Sequence, residues 1–364
     1  MGDKVFVTTY SGVTETNGVG ALERQLVCYQ KTDGKLLWIA KVPAKQPEDD
    51  YGGFLREHGY ASNTPASDGE RVYVFFGKSG ALAFDLQGKQ LWQTSVGTRS
   101  NSRHWGSGAS VMLTKDHVIV NALDEGGAVV ALDKATGKEA WRAAAEGLEL
   151  AYSTPVLVEN GGQTDLVLAV PQEIWGINPD NGRLRWYASH DLPGNVSPGV
   201  VIGEGSVFVF GGFPRTGSVR VKVGGKDDVT KTNIGWTSSD SSYVPTPVYH
   251  DGHLYVVNDQ GFALCLEAAT GKQIYRERVM DGGASGGQRR GGGKPFYAST
   301  ILADGKLYCT SRNNGTFVLA AKPHYELLSK NIIDTDTTQF NATPAVDGNR
   351  LYLRSDKTLY CVGQ

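Results

Sequence analysis

Several things are scarce in this chain of 364 residues. Methionine occurs only 3 times against 7 tryptophans and 16 tyrosines, a balance that leans away from a helical core and toward strands. No apolar run approaches the roughly 18 residues needed for a membrane-spanning helix. The formal net charge is -2, so the chain has no bulk attraction for nucleic acid or an anionic membrane. The cysteines, Cys28, Cys265, Cys309 and Cys361, form neither an adjacent pair nor a C-x-x-C spacing, which argues against a disulfide framework and a zinc site. The sequence enters a strand directly at Lys4-Val5-Phe6-Val7, with no signal-peptide pattern.

What the chain has is a repeat. Val130-Ala131-Leu132-Asp133-Lys134-Ala135-Thr136-Gly137-Lys138-Glu139-Ala140-Trp141 reads as a strand, a tight turn and a returning strand. Aspartate bonds its own backbone in such a turn and glycine tolerates positive φ. The same element ends on Trp38, Trp92, Trp186 and Tyr275, always four residues after the turn glycine (Gly34, Gly88, Gly182, Gly271). Five copies in register mean a repeat architecture. Five or six residues before each turn glycine stand Cys28, Ala83, Ala131, Gly176 and Cys265, so this position demands a small side chain.

A second element precedes each of these. It is a short strand, often opened by Thr-Pro, then an Asp-Gly type turn and a strand such as Val72-Tyr73 or Leu254-Tyr255. Together the two elements make four antiparallel strands, A to D, at a period of roughly 43 to 54 residues, the description of a β-propeller blade. The expected fold is all-β: one propeller domain over 1-364 with eight blades near 1-42, 60-97, 106-146, 151-190, 195-238, 243-280, 296-330 and 340-364. The first blade lacks strand A and the last lacks strand D. An upstream segment is expected to supply both and close the ring.

The Ala131-Leu132-Asp133-x-x-Thr136-Gly137-Lys138-x-x-Trp141 repeat resembles the PQQ-like, or quinoprotein-alcohol-dehydrogenase-like, eight-bladed propellers, over nearly the whole chain. The resemblance fixes a fold more than an activity, because that family holds both enzymes and non-catalytic scaffolds, including the propeller lipoprotein of the outer-membrane β-barrel assembly machinery. It also implies an exported protein, in the periplasm or outside the cell. For members that bind PQQ, it implies a calcium ion held by Glu, Asn and Asp, an aspartate base, a stacking tryptophan and a vicinal disulfide. No Cys-Cys pair exists here and the acidic residues are scattered over separate blades, so no cofactor is expected and PQQ with calcium is disfavoured.

Strand alternation puts the D–A and B–C loops on one face and the short A–B and C–D turns on the other. The first set carries every long insertion and is where a site is expected. Candidate ligand-binding residues are His58, Tyr60, Asn63, Arg103, His104, Trp105, Tyr152, Trp175, Tyr243, Arg289, Arg290 and Tyr297. Asp124, Glu125, Glu173, Asn195, Arg215, Asp259, Phe296, Arg312, Asn313, Phe340 and Asn341 stand beside them. Trp105 and Trp175 fall outside the repeat register, so blade packing does not account for them. The glycine-rich 281–294 stretch reads as a basic flap. Aromatics interleaved with Arg, His, Asn and carboxylates suit a polar, ring-shaped ligand, although polar residues also line propeller channels without any such role. The favoured function is a non-catalytic monomer that binds a protein partner or a polar or carbohydrate ligand through its loop face. The alternative is an enzyme acting on a carbohydrate or alcohol, with His58, Arg103, His104 and Tyr243 as acid/base or anchoring groups.

Overall fold

The computed structural model describes residues 1–13, 18–279 and 294–363. Most of the proposed flap, including Arg289 and Arg290, lies outside the described residues, as do residues 14–17 of the first B–C insertion. The chain divides into two compact units, Met1–Tyr187 with Gly224–Asp228, and Ala188–Val223 with Val229–Gln364.

The first unit begins with a three-stranded sheet, β1 (Lys4–Ser11), β2 (Glu23–Gln30) and β3 (Leu36–Pro43). Blade 2 is β4 (Ala66–Ser67), β5 (Arg71–Phe75), β6 (Ala81–Asp85) and β7 (Gln90–Thr94). Blade 3 is β8 (Met112–Leu113), β9 (His117–Ala122), β10 (Ala128–Asp133) and β11 (Glu139–Ala144). Blade 4 is β12 (Val156–Asn160), β13 (Gln163–Val170), β14 (Glu173–Ile177) and β15 (Leu184–Ser189), and it gains a fifth strand, β19 (Asp227–Asp228), parallel to β15.

The second unit holds β16 (Val201–Gly203), β17 (Ser206–Gly211), β18 (Gly217–Lys222) and β20 (Ile234–Ser238) as blade 5. Blade 6 is β21 (Val248–His250), β22 (His253–Val257), β23 (Phe262–Glu267) and β24 (Gln273–Arg278). Blade 7 is β25 (Ile301–Ala303), β26 (Lys306–Thr310), β27 (Thr316–Ala320) and β28 (Leu327–Asn331). A three-stranded blade 8 closes the list, β29 (Ala345–Asp347), β30 (Arg350–Arg354) and β31 (Leu359–Gly363). Eight sheets in succession, meandering antiparallel apart from β19, are the eight-bladed β-propeller fold expected from the repeat. The first sheet lacks strand A and the last lacks strand D.

Two devices join neighbouring blades within each unit. At the outer strands, the repeat tryptophan lies on the turn glycine of the next blade. A Cβ on Gly88, Gly137, Gly182 or Gly271 would come within 2.5–2.6 Å of the ring of Trp38, Trp92, Trp141 or Trp236. Each indole Nε1–H donates to a carbonyl of that same turn, at Leu86 (3.1 Å), Lys134 (3.0 Å), Pro179 (3.0 Å) and Ala268 (2.9 Å). Trp236 is a fifth repeat tryptophan that the sequence pattern missed, because its own blade has the long 223–233 connection in place of a glycine turn. At the inner strands, Ser110 and Thr154 accept the backbone N–H of Thr64 (2.8 Å) and Ser110 (3.0 Å) through their hydroxyls. In the second unit Thr246, Ser299 and Thr343 do the same for Gly199, Thr246 and Ser299. Thr154, Thr246 and Thr343 stand before a strand-opening proline, and Ser110 and Ser299 hold the same place ahead of Val111 and Thr300, so this position is a latch between blades.

Cys28, Cys265 and Cys309 are buried free thiols, and burial pushes Cys265 up to about 11 and Cys309 to about 12. No helix among the described residues is long and apolar enough to cross a membrane.

Candidate functional site

In the first unit the B–C and D–A loops of the first three blades enclose a charged cleft. Its foundation is Arg24. Alternation along β2 puts Arg24 on the face shared by Leu22 and Leu26, and it is only 4% exposed. A buried guanidinium has to be paired. Its Nη2 lies 2.7 Å from Glu48 Oε2, and its Nε donates to the Tyr60 carbonyl at 2.9 Å. Lys78, in the one-turn 3-10 helix between β5 and β6, is buried beside it. Its Nζ reaches Asp49 Oδ1 at 3.2 Å and the Pro47 carbonyl at 3.1 Å. Asp49 also accepts from Ser100 Oγ (2.5 Å) and sits 3.0 Å from His104 Nδ1. Burial pushes the Asp49 carboxyl up, but the bonds from Ser100 and His104 and the Lys78 charge outweigh it and hold it below the ordinary range. Tyr60 donates its hydroxyl to the Asp49 carbonyl at 2.6 Å.

The far wall of the cleft differs. A single helical turn, Leu123–Gly126, buries Asp124 and Glu125 next to one another. Asp124 accepts from Asn101 Nδ2 (2.8 Å) and the Leu150 N–H (2.7 Å); Glu125 accepts from Ser107 Oγ. No ion pair to either is present among the described residues. Burial raises Asp124 to about 6, and burial with the Asp124 charge raises Glu125 to about 7. The cleft also touches Asn63, Arg99 and Asn101.

Above the cleft is an aromatic patch. Trp105 lies 5.1 Å from Phe54, centroid to centroid, and Phe54 lies 5.9 Å from His58. The Arg103 guanidinium sits 5.8 Å over the Trp105 ring. Tyr51, exposed, stands 6.0 Å from Tyr60. His58 Nε2 donates to the Trp105 carbonyl at 2.8 Å, its Nδ1 is 3.1 Å from Ser62 Oγ, and burial holds its pKa below the usual value. Arg103 and His104 are exposed.

The structure thus brings His58, Tyr60, Arg103, His104 and Trp105 together. Asn63 is a buried strut, donating to the Ala109 carbonyl at 2.5 Å. Tyr152 enters from blade 4, its hydroxyl 3.1 Å from Asn101 Nδ2. Trp175 is a correction. Blade packing does account for it, because it is packed against the apolar cluster of Ile119, Val129 and Leu168, with its indole N–H on Glu173 at 2.6 Å.

Tyr243 and Tyr297 belong to the second unit. Tyr243 is buried, donates its backbone N–H to Asp259 Oδ1 (3.0 Å) and carries the Lys294 ammonium 3.8 Å over its ring. Lys294 is ion-paired to Asp259 at 2.8 Å. Tyr297 lies 4.5 Å under the Arg312 guanidinium, which donates to Asn341 and Gln339 at 2.9 and 2.6 Å.

The sequence reading missed Arg24, Glu48, Asp49 and Lys78 as site residues. The signal was there for Arg24: a charged residue on the apolar face of a strand.

Comparison with known proteins agrees with this architecture. The PQQ_2 family model, described as outer membrane protein assembly factor BamB, matches residues 1–141. Those residues carry PQQ-like propeller repeats. Outer membrane protein assembly factor BamB of Burkholderia pseudomallei (strain K96243) is 25% identical over 340 residues, covering 80% of this chain and 81% of its own length. The Yersinia pestis protein of the same name is 26% identical over 235 residues, 60% of this chain and 57% of its own. Among solved structures, BamB from Moraxella catarrhalis superposes with a TM-score of 0.67 at 11% identity, over 98% of this chain and 96% of that one. A europium-containing methanol dehydrogenase superposes at 0.55 with 11% identity, over 95% and 80%. At such identities these superpositions speak for the fold alone.

The resemblance of the repeat to PQQ-like propellers raises the question of PQQ. The residues present do not fit it. Trp175 packs half-buried against the apolar cluster of its blade, the free cysteines form no vicinal pair, and no cluster of three or more His, Cys, Asp or Glu suited to a metal occurs among the described residues.

Proposed function

We propose that the chain is a non-catalytic propeller of the periplasm that binds a protein partner in outer membrane protein assembly, through the loop face of its first unit. The observation that carries this reading is the Arg103–Trp105–Phe54–His58 patch with Tyr51 beside it. Tryptophan, tyrosine and arginine supply large rigid contact area and dominate protein interfaces. Half of the cleft beneath is already neutralised by Arg24–Glu48 and Lys78–Asp49, so it stiffens the loops that present the patch. The names of the curated relatives supply the pathway.

The test is copurification of the chain with the outer membrane protein assembly machinery, using the wild type and the Arg103→Glu/Trp105→Ala variant. Recovery by the wild type and loss in the folded variant is the expected outcome. Equal recovery by both would refute the patch, and no recovery by either would refute the pathway.

A second reading rests on Asp124 and Glu125. Two buried carboxyls raised toward neutrality can share proton transfer between them, as a carbohydrate-acting enzyme requires. Glycoside turnover that disappears in Glu125→Gln would favour it.

A further inference from the structure

Arg103 and Trp105 of the aromatic patch stand on the 95–111 connection between β7 and β8. Arg103 is exposed and Trp105 half-buried, and a loop so placed is ordinarily mobile. One buried side chain holds its backbone. Asn101 is 2% exposed. Its Oδ1 accepts the backbone N–H of Arg103 at 3.0 Å and of Trp105 at 3.3 Å. Its Nδ2 donates to Asp124 Oδ2 at 2.8 Å and to the Tyr152 hydroxyl at 3.1 Å. An amide has two acceptor positions and two donors, so Asn101 is fully used. A carboxylate only accepts, so the nitrogen has to face Asp124 and the oxygen has to face the patch. Asp124 carries the constraint one loop further, because its other oxygen accepts the Leu150 N–H at 2.7 Å. Leu150 stands at φ 63° and His104, between the two patch residues, at φ 54°. Both are in the left-handed region, which persists for such residues only where surrounding bonds over-determine it. Loops from three successive connections thus meet on one amide.

We propose that Asn101, hung from Asp124, is the positioning residue of the interface patch. It fixes the backbone under Arg103 and Trp105 before a partner arrives, so that little ordering is left to the binding step. Asn101 acts through the two residues it holds and is itself shielded from any partner. The role explains why an amide is buried at this point of the loop: an aspartate would repel Asp124, and an apolar residue would leave the two N–H groups and the carboxylate unmet. The proposal deepens the partner-binding reading and rests on it for what the patch meets. Its first readout needs no partner, so the two can fail separately.

The test is a reciprocal exchange. Asn101→Asp keeps the acceptor for Arg103 and Trp105 but sets two carboxyls against each other. Asp124→Asn turns one of two accepting oxygens into a donor that faces either Asn101 or Leu150. In the double variant the amide at position 124 donates to the carboxylate at position 101 and keeps the Leu150 N–H on its oxygen, so every bond has a counterpart. Amide hydrogen exchange on the full ¹⁵N-labelled chain reads the Arg103 and Trp105 N–H groups directly. Each single variant should lose about tenfold in protection there, the scale of one hydrogen bond, and the double variant should regain most of it. A merely structural role would lower protection across the first unit, β13 included, which is expected to stay unchanged. Affinity for the purified outer membrane assembly machinery should follow the same order, about tenfold weaker in each single variant and near wild type in the double. Unchanged protection in both single variants would overturn the proposal. So would a double variant no better than the singles or unable to fold, or an affinity indifferent to the single variants. A wild-type chain that does not bind the machinery would refute the pathway instead, and the exchange result then decides the positioning role alone.

Discussion

The first unit has two kinds of interior. Its seams between blades are dry: Trp38, Trp92 and Trp141 each rest on a glycine and satisfy their single polar atom on a turn carbonyl. Its cleft is charged: Arg24, Lys78, Glu48, Asp49, Asp124 and Glu125 are all buried there. The seams need shape and one carbonyl acceptor each, whereas the cleft holds two matched pairs, Arg24–Glu48 and Lys78–Asp49, beside two carboxyls, Asp124 and Glu125, held by hydrogen bonds with no ion pair among the described residues. Burying charge is seldom the cheapest way to hold loops together, so its presence marks loops whose position matters for something besides stability. Blade 4 lies between the two cases. Trp186 turns into its own sheet, and its Nε1–H bonds Asp165 at 2.8 Å, while Arg185 bonds the other oxygen of that carboxylate at 2.6 Å. The ring fits because residue 176 is glycine; a Cβ there would lie 2.0 Å from the indole.

This contrast can be broken from either side. The largest effect is expected from Gly176→Leu, which has nowhere to go. Loss of more than about 4 kcal/mol, or failure to fold, should appear in urea denaturation. Next comes Arg24→Met, which strands Glu48 in the interior and should cost about 3–4 kcal/mol. Adding Glu48→Leu should restore most of that loss, which would not happen if Arg24 acted by packing alone. Asp165→Ala leaves the buried Trp186 N–H unpaired and Arg185 with the Thr164 carbonyl alone, and is expected to cost about 2–3 kcal/mol, with Asp165→Asn costing about half as much.

The cleft has a pH signature that the seams lack. Folded Glu125 keeps its proton to about pH 7, whereas the unfolded chain releases it near the ordinary glutamate value. The folded state therefore binds more protons across that window, and stability falls as pH rises through it. Glu125→Gln should be more stable than wild type by about 2 kcal/mol at pH 8 and indistinguishable at pH 4. The smallest effect belongs to a seam. Trp141→Phe keeps the ring contact but loses the bond to Pro179, a loss of about 1 kcal/mol.

The blades were legible in the sequence because their signals are local: a glycine turn, an aromatic four residues on, a small residue six before. Gly176 was read correctly as a small position, but that it makes room for an indole from its own blade could not be read, since that depends on Asp165 across the sheet. Trp236 escaped because its blade replaces the glycine turn by a longer connection. On the loop face, His58, Arg103 and Trp105 were legible as candidates from loop position and residue type. The Arg24–Glu48 and Lys78–Asp49 pairs were not, since the partners stand 24 and 29 residues apart and meet only when two loops fold over one cleft.

The central claim is that the loop face of the first unit, not its outer strands, meets the partner. Binding of the purified chain to the purified outer membrane assembly machinery, measured for Arg103→Glu/Trp105→Ala and for Leu91→Glu on an exposed outer strand, tests it most directly. The prediction is at least about a tenfold loss for the first variant, as for an interface anchor, and none for the second. Loss with Leu91→Glu and full binding by the loop-face variant would contradict it.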